Sequence, residues 1–128
     1  MTEPTTVDVD SLVDTYIDMW NETDVARRAE LIATAWTDDG AYTDPLLEAT
    51  GAAAISAMVD GVHAQLPGHR FARTSGLDSH HDHHRFGWEL AAADGTVAVE
   101  GIDVAEVGPD GRFVRITGFF GALPEVDA

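Results

Sequence analysis

The apolar residues change their spacing once along the chain, near Gly68, and that switch restricts the fold more than any other feature. Before it, hydrophobic residues recur every three or four positions, the period of helices with one buried stripe. After it they alternate every second residue, the period of half-buried strands. Leu12, Val13, Tyr16, Ile17 and Trp20 make a first stripe that ends near Asn21, with Asp10 or Ser11 as its expected cap. Thr23 or Asp24 caps a second helix with Ala29, Ile32, Ala35 and Trp36 on its buried side, Arg27, Arg28 and Glu30 outward, and Asp38-Asp39-Gly40 as its stop. Ala41 to Asp44 reads as a short strand closed by Pro45. Thr50 then caps a third helix carrying Ile55, Met58, Val59, Val62 and Leu66, which Pro67-Gly68 breaks. Turn signals at Ala93-Asp94-Gly95 and Pro109-Asp110-Gly111 divide the remainder into strands near 69–77, 80–92, 96–107 and 112–120. Three helices followed by antiparallel strands predict an α+β fold, with the helices packed on one side of a strongly curved antiparallel sheet that encloses a cavity.

At 128 residues the chain is expected to be a single domain, with a core over about 8–121 and loose termini. Apolar residues make up 45%, enough for a self-sufficient core. Seven arginines, no lysine and 23 acidic residues give a net charge of −16. That sign repels nucleic acid and anionic membrane surfaces. No apolar run approaches a membrane span, and MTEPTTVDVD lacks the basic and apolar regions of a signal peptide. With no cysteine, which excludes disulfides and thiolate chemistry, the expected location is cytoplasmic.

Alternation sorts the strand residues by face. In 96–107 one face reads Val97, Val99, Gly101, Asp103, Ala105, Val107, so Asp103 is a lone carboxylate on an apolar face. Burial there raises its pKa and makes it a donor near neutral pH; a bulge would instead let it reach water. On the strand before, His80, Asp82, His84, Phe86, Trp88 and Leu90 share the inner face, and on the last strand Val114, Ile116, Gly118 and Phe120 complete the wall. The expected lining is Trp20, Met58 and Val62 from the helices and Phe86, Trp88, Ile116 and Phe120 from the sheet. Such a pocket suits a small apolar or aromatic molecule with one or two polar handles. His80-His81-Asp82-His83-His84 invites a metal reading, but no carboxylate completes a ligand set, so no metal is assigned; His84 is the imidazole expected to face the pocket. Asp44, held extended by Pro45, either aims inward or forms a plain turn. Tyr16 is either core or a donor into the cavity, and Trp20 and Trp36 have core spacing.

The stretches Tyr16-Ile17-Asp18, Trp36 through Pro45, Gly51 at a helix start, Gly101-Ile102-Asp103-Val104 and Asp110 through Phe113 together resemble the SnoaL-like branch of the nuclear transport factor two-like superfamily, over about 8–121. The resemblance implies a cone-shaped fold, no metal and no cofactor. Its closest enzymatic likeness is ketosteroid isomerase, in which an aspartate before a proline moves the proton while a helix tyrosine and a protonated aspartate hold the enolate. Asp44, Tyr16 and Asp103 stand at the matching places. The supporting tyrosines of that enzyme appear here as Trp36 and Val59, and His84 and Trp88 replace slimmer wall residues. SnoaL-like polyketide cyclases use an aspartate in a similar pocket for aldol closure, whereas the Asp-Arg-Asp relay of limonene epoxide hydrolase has no counterpart beside Asp103.

The expected function is that of a cofactor-free isomerase or cyclase acting on a small apolar carbonyl compound. Asp44 is the base, Asp103 and Tyr16 the oxyanion donors, and His84 an auxiliary acid. The rival is a non-catalytic ligand-binding or dimerisation module; a metal or haem protein using the histidines is the third reading. The outward Ile102 and Val104, between Glu100 and Glu106, predict a homodimer through the outer sheet face.

Overall fold

The computed structural model describes residues 8–126. The expectation of loose termini falls partly on residues 1–7 and 127–128, which lie outside the described residues. Helix α1 (Val9–Asn21) is capped by Asp8 rather than Asp10 or Ser11, because Asp8 reaches back to accept from the Ser11 amide at 3.2 Å and the Ser11 hydroxyl at 2.8 Å. Helix α2 (Val25–Ala35) is capped by Asp24, which accepts from the Ala26 amide at 3.0 Å. Its buried face is Leu31, Ile32 and Ala35, with Ala29 exposed.

Arg28 also departs from the outward expectation and is fully buried. Its planar fork donates to the Glu22 carbonyl at 2.7 and 2.9 Å, to the Ser56 hydroxyl at 3.1 Å and to Asp60 at 2.8 Å. Those partners come from the α1–α2 turn and from the third helix, which periodicity along one helix does not reveal.

The chain passes straight from α2 into strand β1 (Trp36–Thr43), so Asp38-Asp39-Gly40 lie within an irregular stretch of strand and do not form a stop. The ladder to the last strand skips from Trp36 to Ala41, and a side chain at Gly40 would collide with the Trp36 ring. Strand β2 (Glu48–Thr50) folds back on β1; three residues are too few to show a period. Helix α3 (Ala52–Gln65) starts from Gly51 at φ +86°, a left-handed conformation, and takes no side-chain cap from Thr50.

Strands β3 (Arg70–Arg73), β4 (Asp78–His80), β5 (His83–Ala91), β6 (Val97–Val107) and β7 (Phe113–Phe120) complete one sheet in the order β2-β1-β7-β6-β5-β3, with β4 also on β5. His81, at φ 52°, turns the chain between β4 and β5 and splits what alternation reads as one strand. All pairs are antiparallel except β1 with β7, which run parallel. The three helices pack against this curved sheet. A bulge opposite Glu106 and Val107 brings Phe113 into the core and moves Val114 off the inner wall where alternation had placed it. Asp103, His84, Phe86, Trp88 and Leu90 are buried on the inner side. Among the described residues, no helix is long and apolar enough to cross a membrane.

Candidate active site

Between the helical layer and the sheet lies a cavity of about 110 Å³. Its walls are apolar apart from Tyr16, Tyr42, Asp44, Asp103 and the indole of Trp88. Tyr42, Trp20, Phe71, Trp88 and Phe120 follow one another around it, successive ring centroids 5.0 to 5.9 Å apart. Tilted and edge-on contacts of this kind hold a rigid aromatic collar.

Asp103 sits at its base. Alternation along β6 turns it inward, and its register partner Phe86 on β5 and Gly118 on β7 screen it from water. The Tyr16 hydroxyl donates to its Oδ2 at 2.8 Å and the Trp88 indole to its Oδ1 at 3.0 Å. Burial pushes its carboxyl up to about 7, with the Asp44 charge adding to the rise and the two donors opposing it. An indole N–H only donates, so Oδ1 must stay an acceptor. The proton of the neutral form therefore belongs on Oδ2, beside the Tyr16 hydroxyl, which unlike the indole can rotate to accept it.

Asp44 follows β1, where Pro45 holds it extended. The inward and the turn-forming readings of this residue are both realised. Oδ1 accepts from the Leu46 and Leu47 amides, each at 2.8 Å, and Oδ2 accepts from the Tyr42 hydroxyl at 2.7 Å. Burial, then the Asp103 charge and the bond to Asp44, drive the Tyr42 phenol far above its ordinary range; burial and Asp103 do the same to Tyr16. Both phenols therefore remain neutral donors.

Gly118 brings the two acids together. A methyl group there would lie 2.8 Å from Asp103 Oδ1, 3.2 Å from Asp44 Cβ and 3.2 Å from the Tyr42 hydroxyl. Only a residue without a side chain lets both clusters meet across β7.

The structure thus groups Tyr16, Asp44 and Asp103, with Trp20, Val62, Trp88 and Phe120 around them. It does not bring every expected residue there. Phe86 packs edge-on behind Tyr16, and Ile116 is fully buried in the core. Met58 lies on the neighbouring face of α3. His84 faces a separate recess with Asp78, His80 and His83, its Nδ1 2.8 Å from the Ser79 hydroxyl, at the end of β5 that pairs with β4. Burial lowers the His84 pKa. Among the described residues, no three histidine or acidic side chains converge as a metal site.

The residue that sequence reasoning passed over is Tyr42. It lies two positions before Asp44 and so on the same strand face, which was signal enough to pair them. The phenol missing at Trp36 and Val59 is supplied from here, to Asp44 rather than to Tyr16.

A family profile described as SnoaL-like domain matches residues 13–116. A SnoaL-like family protein from Agrobacterium tumefaciens strain C58, provisionally named an isomerase, is 34% identical, with TM-score 0.82 over 88% of this chain and 96% of that one. An NTF2-like protein of unknown function from Exiguobacterium sp. 255-15 is 22% identical, with TM-score 0.69 over 88% and 99%. A Sinorhizobium meliloti protein provisionally named a polyketide cyclase shares the fold at 14% identity and TM-score 0.66, over 84% and 93%. Comparison with curated proteins finds no match.

Proposed function

The chain belongs to the SnoaL-like domain family, and from that premise we propose that it is a cofactor-free isomerase or cyclase acting on a small, largely apolar carbonyl compound. The observation that carries this reading is the meeting of Asp44 and Asp103 around Gly118 at the edge of an apolar, aromatic cavity. Two carboxyls in unlike surroundings can divide acid and base work. Asp44, solvated on one side and fixed by its turn, takes a proton from the carbon next to the carbonyl. Asp103 and Tyr16 hold the oxygen as it gains charge, in a site dry enough to strengthen both hydrogen bonds. In an isomerase Asp44 returns the proton to a different carbon; in a cyclase the carbanion attacks a second carbonyl of the same molecule. The cavity, at about 110 Å³, is below the roughly 150 Å³ that holds benzene in an engineered protein core, so it excludes a fused ring system and encloses at most part of a single ring.

The test is deuterium exchange at the α-carbon of cyclohex-2-en-1-one, followed by NMR. The native chain accelerates exchange, and Asp44→Ala loses about 10²- to 10⁴-fold of that acceleration while retaining its fold. Equal exchange in the two proteins would remove Asp44 from the chemistry.

One observation favours a non-catalytic ligand-binding module as the second reading. The hydroxyls of Tyr16 and Tyr42, the Trp88 indole and all four carboxylate oxygens of Asp44 and Asp103 already have partners within the protein. Under that reading the enone binds and its α-protons do not exchange.

We further propose a homodimer through the outer sheet face, supported by the neighbouring exposed Ile102 and Phe119, and a cytoplasmic location, supported by the cysteine-free composition.

A further inference from the structure

A second apolar hollow, about 710 Å³ and open to solvent, runs between the loop after β1 and the outer half of α3. Leu46, Leu47, Val62 and Leu66 line both this groove and the catalytic cavity, so the two spaces meet along one shared rim. We propose that the groove is a tail subsite, taking an uncharged alkyl chain attached to the ring that sits in the cavity. The inference rests on the cavity reading above and adds to it the substrate class: ring ketones or enones bearing a medium-length aliphatic substituent.

Three features support that occupant. The cavity is smaller than one that encloses a whole ring, so a ligand seated there must extend across the rim, and the rim is wholly aliphatic. The floor of the groove is built from Ala54, Ala57 and Gly61, which leave a trough along the helix. A side chain at Gly61 would meet nothing within 4 Å, and glycine weakens a helix interior, so its smallness there has no local structural use. Leu46, 80% exposed, stands beside the trough as apolar surface that a chain would cover.

Charge selects among aliphatic ligands. Glu48 and Gln65 are the polar side chains at the groove, the chain carries −16 overall, and no arginine borders the groove. A fatty acid or a phosphorylated chain would meet repulsion at its head without a compensating cation. A neutral tail meets none. The Asp44 turn holds the amides of Leu46 and Leu47, so the side chain that would act as base also fixes the rim between ring and tail.

Binding of 3-alkylcyclohex-2-en-1-ones, from methyl to octyl, measured calorimetrically on the full chain and on Gly61→Leu, tests the proposal. Leucine favours the helix and fills the trough, and Gly61 is not part of the cavity lining, so the variant folds and keeps the ring site. In the native chain affinity rises about two- to fourfold per added methylene, as expected for partly to fully covered CH₂ groups. In Gly61→Leu that rise flattens while the methyl compound binds equally well. Equal slopes in the two proteins, or no slope in either, would overturn the tail subsite and leave the ring site standing. Failure of even the methyl compound to bind would overturn the cavity reading and the subsite together. A change of sedimentation coefficient in Gly61→Leu would make the groove a contact between copies and overturn the tail assignment.

Discussion

Asp103 places an ionisable group in the buried interior, and that sets a direction for pH dependence. Its carboxyl titrates near 7 in the folded chain and near 3.8 when exposed, so between those values the folded chain holds a proton that the unfolded chain has released. Stability therefore falls as pH rises through that window and stays low above it, by roughly 4 kcal/mol if the full shift is expressed. Asp103→Asn keeps an acceptor for Trp88 and a polar partner for Tyr16 but cannot ionise. Thermal melts at pH 8 place the variant above the native chain, and at pH 4 the two nearly coincide; a gap of equal size at both pH values would contradict the buried-proton account. Under the proposed mechanism, enone turnover in the native chain should fall as pH rises through about 7, since the oxyanion donor would be lost with the same proton. His84 works the other way: burial lowers its pKa, so its contribution is lost as pH falls through its folded-state value.

The helical layer is tied together by Arg28 as well as by its apolar stripes. One guanidinium joins the α1–α2 turn to α3 through hydrogen bonds to three residues. Removing it in Arg28→Ala leaves a void and an unpaired Glu22 carbonyl, while Asp60, more than half exposed, regains water. The expected loss is about 3 kcal/mol in urea unfolding, with Arg28→Lys recovering only part because an ammonium cannot span the same fork. A loss under 1 kcal/mol would show the latch to be ornamental. The element order and the inward Asp103 were readable because long strands and helices repeat their period many times. Arg28, the β1–β7 pairing and the short β2 were not, since each depends on contacts between distant segments that no window along the chain contains. For the site, single-strand alternation found Asp103 and Trp88, whereas Phe113 displaced Val114 through a bulge and His84 lies at the end of β5 that pairs with β4, in another recess.

The sheet's outer face carries Ile102 at 44% and Phe119 at 59% exposure, directly paired across β6 and β7, with Arg85, Arg115, Glu100 and Glu106 around them. Charges of both signs at the edge let a two-fold pairing match acid with base, against the general repulsion of a −16 chain. Sedimentation should find a dimer at micromolar concentration, tighter as salt rises, and Phe119→Glu should be monomeric with its fold intact. A native chain that sediments as a monomer throughout would remove the outer-face pairing. The parallel alignment of β1 with β7 has a kinetic corollary. It joins Trp36 to Phe113 across most of the chain's length, and Asp44 follows one of those strands while Gly118 belongs to the other. Such remote pairings close late because the intervening polymer must first be drawn in. Until β7 pairs with β1, the cavity lacks the wall that carries Phe120.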